Sequence, residues 1–118
     1  MCLTSILSKN SKEYKDLPKE GVYYKAVRAT NNATWYNSDI KLTKGVHVDS
    51  NDSMINIGPD YSYHTGFHVF RSRGDAQKWM ICDEKIIRMR INKKDIVACG
   101  YQNGCYFCVV AKKIRVIE

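Results

Sequence analysis

Asn103-Gly104 sits between two apolar runs, residues 96–102 and 105–111. Asn and Gly both tolerate positive φ, which a two-residue hairpin turn demands at each central position. The flanking runs are rich in Val, Ile, Tyr and Phe, the residue types that suit a pleated surface. This predicts a β-hairpin in the C-terminal third. Residues 85–92 strengthen the strand reading by alternation. Ile87, Met89 and Ile91 share one face, and Arg88 and Arg90 the other, as in a half-buried strand.

The rest of the chain follows from the same signals. Residues 22–28 and 66–70 read as strands, and 112–117 as a strand or a second extended segment. Residues 35–48 carry weaker strand signals interrupted by Gly45. Residues 49–53 with Gly58-Pro59 read as a long polar loop. Ser72 followed by Asp75 resembles a capping box with Asp in place of Glu, so a helix is expected from there to about Cys82. Ala76, Trp79 and Met80 are expected on its buried side. Residues 8–20 are polar up to Pro18 and read as a loose arm or a short helical turn. The expected fold class is α+β: a strand-rich single domain of mostly antiparallel sheet, with one short helix near 72–82. It would occupy residues 21–118 behind an N-terminal arm, 1–20.

A hydrophobic fraction of 44% with 26% charged residues excludes wholesale disorder and a collagen-like repeat. The longest apolar run, 105–111, falls well short of the roughly 20 residues a membrane helix needs. No basic, apolar and small-residue succession marks a signal peptide at the start. The expectation is a cytoplasmic protein without membrane contact, in the host cytoplasm if phage-encoded. Five cysteines, an odd number, then read as reduced thiols rather than a disulfide framework.

Charge is unevenly distributed. Residues 1–70 carry eight Lys/Arg against seven Asp/Glu, and residues 71–118 carry eleven against five. Most of the net charge of +7 therefore lies in the last two fifths of the chain. That imbalance points to an anionic partner: nucleic acid, a nucleotide or an acidic host protein. The candidate partner-binding residues are Arg71, Arg73, Arg88, Arg90, Lys113 and Arg115. If strands 85–92 and 112–117 share a sheet, Arg88, Arg90, Lys113 and Arg115 line one face. Tyr61, Tyr63, Tyr101 and Tyr106 would then offer stacking surfaces.

Other constellations are weaker. Cys105-x-x-Cys108 lies in a predicted strand, where positions i and i+3 point to opposite faces. Buried thiols acting as small hydrophobes are the better reading, with a zinc site also using Cys99 as the alternative. His64 and His68 would lie about 13 Å apart on a strand, too far for one ion. No metal or cofactor is expected. There is no phosphate-binding Gly-rich loop, no Gly-x-Ser-x-Gly elbow and no His-Glu-x-x-His helix.

Several blocks carry a resemblance. They are Tyr24-Lys25-Ala26-Val27, then Gly66-Phe67-His68-Val69-Phe70 with Ser72, Asp75 and Ala76. Ile87-Arg88-Met89-Arg90-Ile91 and the run from Gly104 to Ile114 follow. Over about residues 21–117 this order resembles a group of small uncharacterised bacteriophage and prophage proteins that often begin Met-Cys-Leu. It implies a phage-like protein and no particular chemistry. The block from Gly66 to Ser72, followed by Ala76 and Trp79, is more distantly similar to ADP-ribosyltransferase-like domains. That resemblance implies a nucleotide cleft of Arg28, His68 and Ser72 around NAD. The late strand of those enzymes carries a catalytic Glu, where this chain has Cys, Tyr and Phe. The expectation is a non-enzymatic binding protein, the alternative a divergent NAD-using transferase.

Overall fold

The computed structural model describes residues 3–34, 40–58 and 61–117. It is strand-rich, and every strand pairing among these residues is antiparallel. The strands are β1 (Ser5–Ile6), β2 (Glu20–Arg28), β3 (Gly45–Val48), β4 (Met54–Gly58), β5 (Tyr61–His64), β6 (Phe67–Phe70), β7 (Glu84–Asn92), β8 (Ile96–Gln102), β9 (Tyr106–Ala111) and β10 (Lys113–Val116). Two short helices, α1 (Lys12–Lys15) and α2 (Arg73–Trp79), complete it. Eight strands form one sheet in the order β1-β8-β9-β6-β2-β7-β10-β3, and β4 and β5 form a separate hairpin.

The two faces of the large sheet have different coverings. On one face Tyr23, Val27, Val69, Ile87, Met89, Ile91, Val109, Ile114 and Val116 join Leu17 and Leu42 in a single cluster. Contributions from β2, β6, β7, β9 and β10 to one cluster mean that the sheet curls around its own side chains. Each large aliphatic side chain buried this way contributes about 1.5–3 kcal/mol. On the other face Phe70, Ala98, Cys108 and Val110 pack against Leu3, Ala76 of α2 and Tyr63 of β5. Central strands covered on both sides should be apolar throughout, without alternation. β6 is buried at all four positions, and β9 from Cys108 to Ala111. The outer face of β7 is only partly covered, and the strand alternates as expected, with Ile87, Met89 and Ile91 inside.

The β8–β9 turn forms at Asn103-Gly104, where φ is 51° and 74°. The Ser72 hydroxyl caps α2 by accepting from the Asp75 backbone N–H at 3.3 Å. The helix stops at Trp79, short of the expected Cys82. Met80 becomes its extended C-cap and stays 39% exposed, so it does not join the buried side. Residues 54–58, inside the stretch expected as a polar loop, pair with residues 61–64 as the β4–β5 hairpin. Its inward Ile55, Ile57 and Tyr63 find an apolar surface to cover only once the sheet exists. In the segment 35–48, residues 35–39 lie outside the described residues and the strand is confined to β3.

The N-terminal segment is docked rather than loose. α1 is the expected helical turn, capped by Ser11, whose hydroxyl accepts from the Tyr14 N–H at 3.2 Å. Leu17 enters the main cluster, and β1 pairs with β8. That pairing needs Gly100: a Cβ there would lie 1.9 Å from the Ser5 carbonyl oxygen. No described helix is long and apolar enough to cross a membrane.

Candidate functional site

The outward face of β7 carries Arg88 and Arg90, because Ile87, Met89 and Ile91 take the inward phase. β10 pairs with β7 so that Arg115 stands directly opposite Arg90. Lys113 lies two residues further along the same face of β10, opposite Val48 of β3. On the other flank, Val22 and Tyr24 of β2 face Arg90 and Arg88. Arg90, Lys113 and Arg115 therefore converge. They line a depression of about 240 Å³ whose rim includes Glu20, Asn92 and Asp95.

The electrostatics of this depression are unbalanced. Like charges directly opposite on neighbouring strands destabilise a sheet by a few tenths of a kcal/mol up to about 1. Glu20 lies 3.9 Å from Arg90, with both side chains about half exposed. Such a solvated pair contributes between zero and about 1 kcal/mol. A ligand oxyanion placed between Arg90 and Arg115 would relieve the repulsion and could use the donor forks of both guanidinium groups.

The other expected partner-binding residues are placed elsewhere. Arg71 donates from Nη1 to the Val22 carbonyl at 2.7 Å, and its guanidinium lies 5.1 Å from the Tyr23 ring centroid. It also lines a separate depression with Glu13, Asp16, Tyr101 and Phe107. Arg73 is the exposed first residue of α2. Arg88 is half-buried beside Tyr24.

Three of the four tyrosines expected to stack, Tyr63, Tyr101 and Tyr106, do not line the depression. Tyr63 is buried, Tyr101 packs on Phe107, and Tyr106 packs on Phe70 and Trp79. The Tyr61 side chain lies outside the described residues. Tyr24 is the aromatic that the register brings beside this basic row.

Arg28, His68 and Ser72 occupy three different settings. Arg28 ends β2 opposite Glu84. Arg28 lies four residues past the Tyr24–Phe70 pair, about 13 Å along β2 at 3.3 Å per residue, while Ser72 lies beyond the other side of that pair, past the end of β6. His68 is buried between. Its Nε2 accepts from the Tyr63 hydroxyl at 2.9 Å, while Nδ1–H donates to the Gly66 carbonyl at 3.1 Å. Tyr63 in turn accepts from the Leu3 N–H at 3.0 Å. This chain of donors holds the ring neutral. Burial pushes the imidazole down to about 4, with the Lys25 ammonium adding to the effect and the Gly66 carbonyl opposing it.

Lys25 is a buried cation that the strand pattern passes over. It shares the inward phase of Tyr23 and Val27, which was the available signal, and its Nζ donates to the His68 carbonyl at 2.8 Å. Burial lowers it to about 8, against the pull of Cys108 and Glu84.

The four described thiols are dispersed. Cys99 belongs to the main cluster and Cys108 to the cluster on the opposite face, while Cys105 and Cys82 are exposed. Burial raises Cys99 to about 11 and Cys108 to about 12, the reverse of an activated nucleophile. Among the described residues no three His, Cys, Asp or Glu side chains come together as a metal site. No family model, curated protein or solved structure matches this chain.

Proposed function

We propose that this chain is a phage-like, non-enzymatic binding protein of the α+β class, acting in the cytoplasm without a cofactor. Its site is the basic depression of β7 and β10, and its partner is anionic. The observation that carries the reading is the direct juxtaposition of Arg90 and Arg115, with Lys113 at the same depression. A fold gains nothing from facing two guanidinium groups across a ladder, whereas an anion binder does. The NAD-using alternative is the weaker reading, because Arg28 and Ser72 stand far apart and His68 is buried and already hydrogen-bonded.

The test is a charge-matched comparison. Arg90→Glu with Arg115→Glu is set against Arg73→Glu with Lys78→Glu on α2, which changes net charge equally. Binding of a labelled oligothymidylate and of polyglutamate is followed at several salt concentrations. The β7–β10 double variant should lose at least tenfold in affinity for one of these polyanions while the α2 variant keeps most of it. Equal losses in both variants would refute a localised site and leave only bulk charge.

A further inference from the structure

Two features beside the basic depression are not used by anion binding alone. β3 is the last strand in the sheet order and, among the described residues, pairs on one side only, with β10. Its Val46 and Val48 are 50% and 64% exposed. Edge strands are normally blunted by charge, proline or bulges, because an open edge is a template for another strand. This one presents two β-branched apolar side chains, the type that favours strand pairing. On the same edge, a depression of about 460 Å³ sets Ile40, Val48 and Phe67 among polar groups that include Lys41, Asp49 and Asn51.

We infer that β3 is a docking edge for an extended acidic segment of a partner protein, which adds to the sheet as a further strand. The inference rests on the basic-depression reading and adds the partner's class and conformation. An added strand would lie about 4.8 Å from β3 and about 10 Å from β10. Its outward side chains would cross Val46 and Val48, which are too short to screen the charges behind them. Glutamates at alternate positions could then meet Arg115 and Lys113 above the valines. The residues between them would turn to the other face, toward the depression holding Ile40 and Phe67. The favoured segment alternates acidic and apolar residues.

Charge decides among occupants. A second copy would bring the sequence Gly45-Val46-His47-Val48, which has no carboxylate, and a like-charged basic face. Nucleic acid has no peptide groups to continue the ladder and leaves the valines unused. Main-chain pairing with alternate side-chain contacts is an established mode of peptide recognition.

The experiment uses a fluorescein-labelled octapeptide of alternating Glu and Val. Three further peptides have its composition in block order, or its order with N-methyl groups on one alternate set of residues, or on the other set. An oligothymidylate is the fifth probe. Anisotropy gives affinity, and hydrogen exchange reads the amides of residues 45–48. The alternating peptide should bind and slow exchange in β3. Block order, and N-methylation of one alternate set, should each weaken binding at least tenfold. Equal binding of all the peptides would overturn the inference by showing attraction without strand pairing. If the peptide fails while oligothymidylate binds in an Arg90- and Arg115-dependent way, the docking edge falls and the basic depression stands. If no polyanion depends on those arginines, both readings fall.

Discussion

Acidification should strike this fold first at His68. The ring is buried and accepts from Tyr63, and its protonation is pushed from the ordinary 6.5 down to about 4. The sign follows from linkage: between these values the unfolded chain takes up a proton that the folded chain refuses. Stability attributable to neutral His68 is therefore complete above about pH 6.5 and declines as pH falls toward 4. At 1.36 kcal/mol for each unit of separation, the loss is about 2 kcal/mol at pH 5 and about 3 kcal/mol at pH 4. Against a typical total of about 5–15 kcal/mol, that is a large fraction for one side chain. The perturbation is His68→Gln, whose amide does not titrate. Urea unfolding of both proteins between pH 7 and 4.5 gives the difference in stability, which removes carboxylates common to both. The wild-type advantage should be constant above pH 6.5 and shrink by about 2 kcal/mol on reaching pH 5. A difference that stays flat across that interval would refute the buried neutral imidazole and the donor chain from Leu3 through Tyr63.

Other outcomes follow from the packing. Gly100→Ala places a methyl group against the Ser5 carbonyl, so β1 must shift or detach with Leu3. A loss of about 2–3 kcal/mol is expected in urea unfolding, with faster exchange of the Thr4 and Leu7 amides that donate to β8. Ser72→Ala should cost about 1 kcal/mol by removing the α2 cap, and Ser72→Asp should restore most of it. In a Cys2→Ser background, a thiol reagent at neutral pH should label Cys82 and Cys105 rapidly. Cys99 and Cys108 should react only on unfolding, as mass-resolved kinetics would show.

Much of the framework is legible where one local rule acts alone. Asn103-Gly104 specifies its turn because few other residues accept both positive φ values. The alternation through Arg88 and Arg90 specifies the faces of β7 because its outer face is only partly covered. The β4–β5 hairpin was hidden because β4 falls between the polar residues 49–53 and Gly58-Pro59, and its inward side chains are covered by the sheet. β1 was hidden for a related reason. A two-residue strand has no periodicity to detect, and what admits it is the missing side chain of Gly100, far away in the chain.

The candidate site divides in the same way. By itself the sequence determined that Arg88 and Arg90 share one face and that the C-terminal part is strongly basic. Those properties belong to a single strand and to a sum of charges. Tertiary structure alone decided which cations meet. The β7–β10 register brings Arg115 opposite Arg90, while Arg71 is drawn off to the Val22 carbonyl and the Tyr23 ring. It also decided that His68 is buried with both ring nitrogens hydrogen-bonded and that the Lys25 ammonium is buried against the His68 carbonyl. Register, burial and hydrogen-bond partners are relations between segments distant in sequence. They come into being only when the sheet closes over its core.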